Sequence, residues 1–300
     1  MTLSKTIGVA GTGKMGSAIV RRLLSCGQKV HIWNRTQERA QPLLDAGAIW
    51  VAKPRELALQ CDIVISIVTD EAALDSVYGG SKGLLVGAKP GQIFIDMSTV
   101  SPSKPAEIGV AIKTTGAMFL ECPVGGSVGP ASEGKLIGFV GGDTACLEAA
   151  RETLQLLCRR IEHIGALGAG ATMKLAINLP LMVYWQTLAE SLSLMQPLGL
   201  DPQRIVDILS ETSGGPNMLK TRGPMISKAL NGTSDGSVSV DLNTMRKDLK
   251  AMLQQATAGN YRLPLTAQTL LSIEQASADG LSQSDCTQLP VWWLQNGGKI

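Results

Sequence analysis

The chain is 300 residues long, with 44% hydrophobic and 17% charged residues. That length suits two domains, and so much apolar material buries a large core, which excludes general disorder. A net charge of +2 and 4% aromatic residues argue against a nucleic-acid or membrane-surface partner.

Short apolar runs predict strands at 6–10, 29–33, 63–68, 92–95, 118–121, 136–140 and 161–164. Helical patterns lie between them at 14–26, 36–46, 54–59, 71–78, 103–115 and 144–157. Strands alternating with helices predict an α/β fold with a doubly wound, mostly parallel sheet. The run 63–68 barely alternates, as expected of a strand covered on both faces. The pattern changes near Gly165, where 165–170 reads as a hinge or cap. Beyond it no strand is expected. Asp201-Pro202 reads as an N-cap with proline at the first helical position, opening a helix to about Thr212. Further helices are expected at 216–230 with a break near Gly223-Pro224, and at 240–258, 264–278 and 284–295, with a polar loop at 231–237. The domains are therefore read as 1–165, α/β, and 166–300, all-α.

The apolar stretch 175–195 carries Asn178, Pro180, Gln186 and Glu190, so it reads as a buried helix and not a membrane span. Pro180 is expected to kink it just past Asn178. The first residues show no apolar signal-peptide core, and the cytoplasm is the expected compartment. Six cysteines without a CxxC pair read as reduced and mostly buried. Only two histidines are present, so no metal site is expected. His31, His163 and Cys122 are read as structural, and Trp292 and Trp293 as core packing, a subunit contact or a pocket cover.

Gly11-Thr12-Gly13-Lys14-Met15-Gly16 follows a strand and opens a helix. Gly11 permits the tight turn, Gly13 admits a pyrophosphate to the backbone, and Gly16 lets the helix pack close to the strand. The helix end supplies positive potential to the phosphates. At the end of the second strand the chain reads Trp33-Asn34-Arg35-Thr36, with no acid. An acid there would repel a ribose 2′-phosphate, whereas Arg35 would bind it as a charged fork, with Asn34 and Thr36 adding hydrogen bonds. The expected cofactor is NADP(H); a solvated surface arginine is the plainer alternative. Farther on, Lys174 and Asn178 stand four apart in an otherwise apolar helical stretch, so they share a face. A lysine there either snorkels to solvent or lines a polar cavity as a proton donor. Spacing alone leaves both open.

Four motifs in order resemble the β-hydroxyacid dehydrogenase family, which includes 3-hydroxyisobutyrate dehydrogenases and short-chain semialdehyde reductases. They are the turn at 11–16, Asp96-Met97-Ser98-Thr99, Glu121-Cys122-Pro123-Val124-Gly125-Gly126-Ser127, and the run from Gly168 through Gly170 and Lys174 to Asn178. Lys247-Asp248-Leu249 is similar to a fifth. The resemblance implies a Rossmann-type domain followed by an all-α domain, with the active site between them. It implies Lys174 as proton donor and acceptor, Asn178 as substrate-positioning, and Gly125, Gly126 and Ser127 as binders of the substrate carboxylate. Thr99 would lie beside the nicotinamide, and Val68 and Thr69 would line the dinucleotide crevice. Lys247 would contact the cofactor or close over the site, supported by Asp248.

The implied partner is a small anionic carbonyl compound or its hydroxyacid, and the implied assembly a homodimer or homotetramer. Several positions depart from the family pattern: Gly125 in place of serine, Ser127 and Pro130 in place of glycine, Val240 in place of an aromatic, and Val68-Thr69-Asp70 in place of leucine-proline. All concern the pocket wall and put substrate identity in question. An imine reductase is a rival reading, although such enzymes usually carry Asp or Tyr where this chain has Lys174. A non-catalytic NADPH-binding module is another.

Overall fold

The computed structural model describes residues 5–297. It divides into two compact units, one running to Leu175 and the other starting at Ala176. The division falls inside the helix Ala169–Met195.

The described residues of the first unit form a sheet of nine strands: β1 (Ile7–Ala10), β2 (Val30–Trp33), β3 (Ile49–Trp50), β4 (Ile63–Ser66), β5 (Ile93–Asp96), β6 (Met118–Glu121), β7 (Val124–Gly125), β8 (Leu136–Gly141) and β9 (Cys158–Gly165). The order β3-β2-β1-β4-β5-β6 is parallel throughout. β8 runs antiparallel to β6 and β7, and β9 parallel to β8. The order reverses between β1 and β4, so the crevice beyond their carboxyl ends is where such a sheet takes a ligand.

β1, β4 and β5 are buried along their whole length. Alternate side chains feed two cores. Ile63, Ile65, Ile93 and Ile95 pack with helices Lys14–Ser25 and Thr144–Leu157. Val64 and Phe94 pack with Pro54–Gln60, Glu71–Tyr78 and Ser103–Lys113. Each such side chain contributes about 1.5–3 kcal/mol of burial, which holds the strand ends in fixed register beneath the loops.

β3 and β7 were not expected, because two residues are too few to display alternation. β4 ends at Ser66, two residues early, and 67–69 lie outside the strand. The expected helix 36–46 is split into a 3-10 turn, Gln37–Ala40, and Gln41–Leu44, which has Pro42 in its first turn.

The described residues of the second unit are helical: Pro202–Ser210, Asn217–Leu230, Leu242–Ala258, Pro264–Ala276 and Gln288–Trp292 follow the long helix. Asp201 caps its helix by accepting from the Gln203 and Arg204 N–H groups. The break expected at Gly223-Pro224 does not occur. A Cβ on Gly223 would lie 2.7 Å from Val206, so this glycine lets the helix pack closely on Pro202–Ser210. Ala169–Met195 is likewise assigned as one helix through Pro180. Among the described residues no helix is long and apolar enough to cross a membrane.

Candidate active site

The turn after β1 is built by three glycines for three different reasons. Gly11 has φ +104°, and a Cβ there would lie 2.2 Å from the Ile67 carbonyl oxygen. A Cβ on Gly16 would lie 2.0 Å from the Gly11 carbonyl oxygen. These two let the helix Lys14–Ser25 and the turn after β4 close onto the end of β1. A Cβ on Gly13 would meet nothing within 4 Å. Gly13 is also the N-cap of that helix, which has no acidic residue in its first turn and no side-chain cap. The helix dipole favours an anion at that end. The open space at Gly13 and the uncapped helix end fit a dinucleotide pyrophosphate. Lys14 is exposed at the first helical position, and Met15 is half-buried.

At the end of β2, Arg35 and Thr36 are exposed. Asn34, expected to bind cofactor, is engaged internally. Its Oδ1 accepts from the Thr12 N–H at 3.1 Å and its Nδ2 donates to the Thr36 carbonyl at 2.8 Å. Asn34 therefore braces the glycine turn against the segment carrying Arg35. Thr36 makes no side-chain cap bond to the turn that follows it.

Asp96 ends β5 and is 1% exposed. Its Oδ1 accepts from Ser66 Oγ at 2.7 Å and Ser98 Oγ at 2.8 Å. Ser98 Oγ in turn accepts from the Val68 N–H at 3.0 Å. Burial pushes the Asp96 carboxyl up to about 6, against the pull of these donors. This chain of bonds fixes Val68 and Thr69 beyond β4 and the segment carrying Thr99 beyond β5. Ile67 and Val68 are half-buried, Thr69 is exposed, and Thr99 is half-buried.

Beyond β6, Gly125 pairs with Ile137 across β7 and β8, Gly126 turns at φ +123°, and Ser127 is exposed. A Cβ on Gly126 would lie 2.8 Å from Leu136 Cδ2, so the turn is held close to β8. Glu121 stands at the root of this loop, at the end of β6. It is 1% exposed. Its Oε1 accepts from the Gly168 and Gly170 N–H groups at 2.5 and 2.9 Å, and its Oε2 from Ala171 N–H at 3.0 Å. Burial pushes its carboxyl up to about 7.

Lys174 stands half-buried on the second turn of Ala169–Met195, and Asn178 on the third. In the second unit, Asn178 Nδ2 donates to Asp248 Oδ2 at 3.3 Å, and Lys247 Nζ lies 3.0 Å from Asp248 Oδ1. A carboxylate only accepts, so this contact sets which end of the Asn178 amide faces Asp248.

His31 is buried in β2, and burial holds its imidazole below the ordinary histidine range. His163 Nε2 is hydrogen-bonded to the Gly142 carbonyl oxygen at 2.7 Å. Cys122 is fully buried, and Trp292 Nε1 donates to Asp279.

Residues 6–165 match the family model of the NAD binding domain of 6-phosphogluconate dehydrogenase. Residues 168–292 match that described as NAD-binding of NADP-dependent 3-hydroxyisobutyrate dehydrogenase. The chain belongs to the 3-hydroxyisobutyrate dehydrogenase family. Glyoxylate/succinic semialdehyde reductase 2 of Arabidopsis thaliana, described as chloroplastic, is 32% identical over 93% of this chain and 77% of its own length. Human cytokine-like nuclear factor N-PAC is 32% identical over 94% of this chain, which spans 50% of that protein. A solved structure of Mycobacterium tuberculosis 3-hydroxyisobutyrate dehydrogenase with L-serine is 26% identical, with 96% of this chain and 99% of that chain covered and a TM-score of 0.83. An imine reductase from Myxococcus stipitatus, 19% identical with a TM-score of 0.64 over 95% and 98% of the two chains, shares the fold alone. As a 3-hydroxyisobutyrate dehydrogenase family member, the chain has the expected doubly wound sheet followed by helices, with residues 6–165 as its NAD-binding domain.

Proposed function

We propose that this chain is an NADP(H)-dependent oxidoreductase that interconverts a small carboxylated, or otherwise anionic, aldehyde or ketone and its hydroxyacid. The observation that carries this reading is the pair on Ala169–Met195. Lys174 is half-buried on an anchored first stretch of helix, and Asn178 one turn later is oriented by a buried carboxylate. When bound, the nicotinamide supplies or accepts the hydride. Lys174 Nζ delivers a proton to the carbonyl oxygen in the reductive direction and takes it from the hydroxyl in the oxidative one. Asn178 holds the substrate oxygen in line with that proton. Backbone N–H groups around Gly125, Gly126 and Ser127 receive the substrate carboxylate.

On the cofactor side, Gly11 through Gly16 hold the pyrophosphate, Val68, Thr69 and Thr99 line the nicotinamide end, and Lys247 contacts the cofactor or closes over it. NADP(H) is preferred because the exposed Arg35 stands where an acid would otherwise exclude a 2′-phosphate. The same reading includes a homodimer or homotetramer, supported by the apolar Leu194, Leu198, Leu265 and Leu271 left exposed on the helical unit. Light scattering tests that point.

The test of function is NADPH consumption with succinic semialdehyde, glyoxylate, methylmalonate semialdehyde, tartronate semialdehyde and a sulfonated aldehyde, with cyclic imines beside them. Turnover of one or more carbonyl acids is expected. Turnover of imines alone would overturn the substrate class in favour of an imine reductase. NADPH binding with no turnover of any compound would favour a non-catalytic module.

A further inference from the structure

Glu121 is a charged residue at the end of a strand whose last three residues are buried. A carboxylate in that position is expensive unless its lone pairs are filled. Three backbone N–H groups fill them, and all three belong to the segment that starts the Lys174 helix. The neighbouring glycines make room for this docking. A Cβ on Gly141 would lie 2.1 Å from Glu121 Oε1, and one on Gly170 would lie 2.3 Å from the Phe139 carbonyl oxygen. Gly168 has φ +97°, with the Pro102 carbonyl oxygen 2.7 Å from where its Cβ would be. The glycines at 168 and 170 thus let the helix end descend onto the sheet until its N–H groups reach one carboxylate. Glu121 also immediately precedes Cys122-Pro123-Val124-Gly125, the root of the substrate loop.

We propose that Glu121 is a positioning residue of the reaction: it locks the start of the Lys174 helix to the root of the substrate loop, and so sets where the lysine proton is delivered. This rests on the role given to Lys174 above. Glutamine at 121 keeps one acceptor oxygen but turns an NH2 donor toward the N–H groups, so the three bonds cannot all be kept.

The experiment compares wild type, Glu121→Gln and Lys174→Ala in three readouts: turnover of NADPH with the best carbonyl acid, NADPH affinity and stoichiometry by fluorescence titration, and amide hydrogen exchange over 166–175. For Glu121→Gln, kcat is expected to fall about tenfold to a hundredfold, the size of effect a small misplacement of a reacting group produces. NADPH is expected to bind at wild-type stoichiometry with unchanged affinity, and exchange over 166–175 to speed up. Unchanged kcat, or loss of NADPH sites in step with lost turnover, would overturn the positioning role in favour of none or of a merely structural one. Unchanged exchange would overturn the anchoring itself. Wild-type turnover by Lys174→Ala would instead overturn the lysine reading, and this proposal with it.

Discussion

Gly13→Ala separates folding from cofactor binding at the glycine turn. Gly13 has φ −68°, ordinary for alanine, and its added methyl would meet no atom within 4 Å. The folding cost therefore reduces to the poor N-cap preference of alanine, about 0.5–1 kcal/mol. The reduced freedom of the unfolded chain offsets part of that, by about 0.4–1 kcal/mol. The melting temperature should move by no more than about 2–4 °C. The same methyl would stand in the space assigned to the pyrophosphate. Loss of one charged hydrogen bond there costs about 1.5–3 kcal/mol, or roughly tenfold to a hundredfold in NADPH Kd. Gly16→Ala should behave differently, because its methyl would overlap the Gly11 carbonyl at 2.0 Å. Overpacking of that kind costs about 1–3 kcal/mol or more, so this variant should lose both stability and affinity. Differential scanning fluorimetry and NADPH titration read the two effects. Gly13→Ala with wild-type melting and wild-type NADPH affinity would refute the placement of the pyrophosphate.

Arg35→Ala should weaken NADPH roughly tenfold to a hundredfold, as for a lost charged hydrogen bond, and leave NADH affinity nearly unchanged; equal losses in parallel titrations would contradict the 2′-phosphate assignment. Asp96 and Glu121 both have carboxyl groups raised in the fold, to about 6 and about 7. The native state then holds more protons than the unfolded chain between the ordinary carboxylate range and those values, so these groups make stability fall as pH rises from about 4 to about 7. Urea denaturation across that window should show wild type losing about 1–3 kcal/mol relative to Glu121→Gln as pH rises, and a relative gain would reverse the assigned cause.

The glycine turn was legible because its chemistry is local. Strand, turn and helix follow one another within 20 residues, and Gly11 and Gly16 have steric reasons the motif encodes. The sheet was legible for a similar reason: a run such as 63–66, buried on both faces, has no alternation to confuse. The long helix bearing Lys174 and Asn178 was equally plain. Contacts across long sequence separations were not. Glu121 meets residues 47 to 50 positions away, and only its charge at the end of an apolar strand hinted at a role. The position of Asn34 near Arg35 is visible in the sequence, while its bond to Thr12, 22 residues back, is not. Gly223-Pro224 looked like a break because proline lacks an N–H. The helix nevertheless continues through both residues, and Gly223 packs on Val206, a contact the local pattern does not display.

The central claim is that Lys174 carries the proton. The direct measurement is the turnover rate of Lys174→Ala with NADPH and the best carbonyl acid, with NADPH affinity measured on the same preparation. The account predicts unchanged NADPH affinity and turnover lowered about 10²–10⁴-fold, the contribution of a positioned general acid. Turnover within a few-fold of wild type would contradict it.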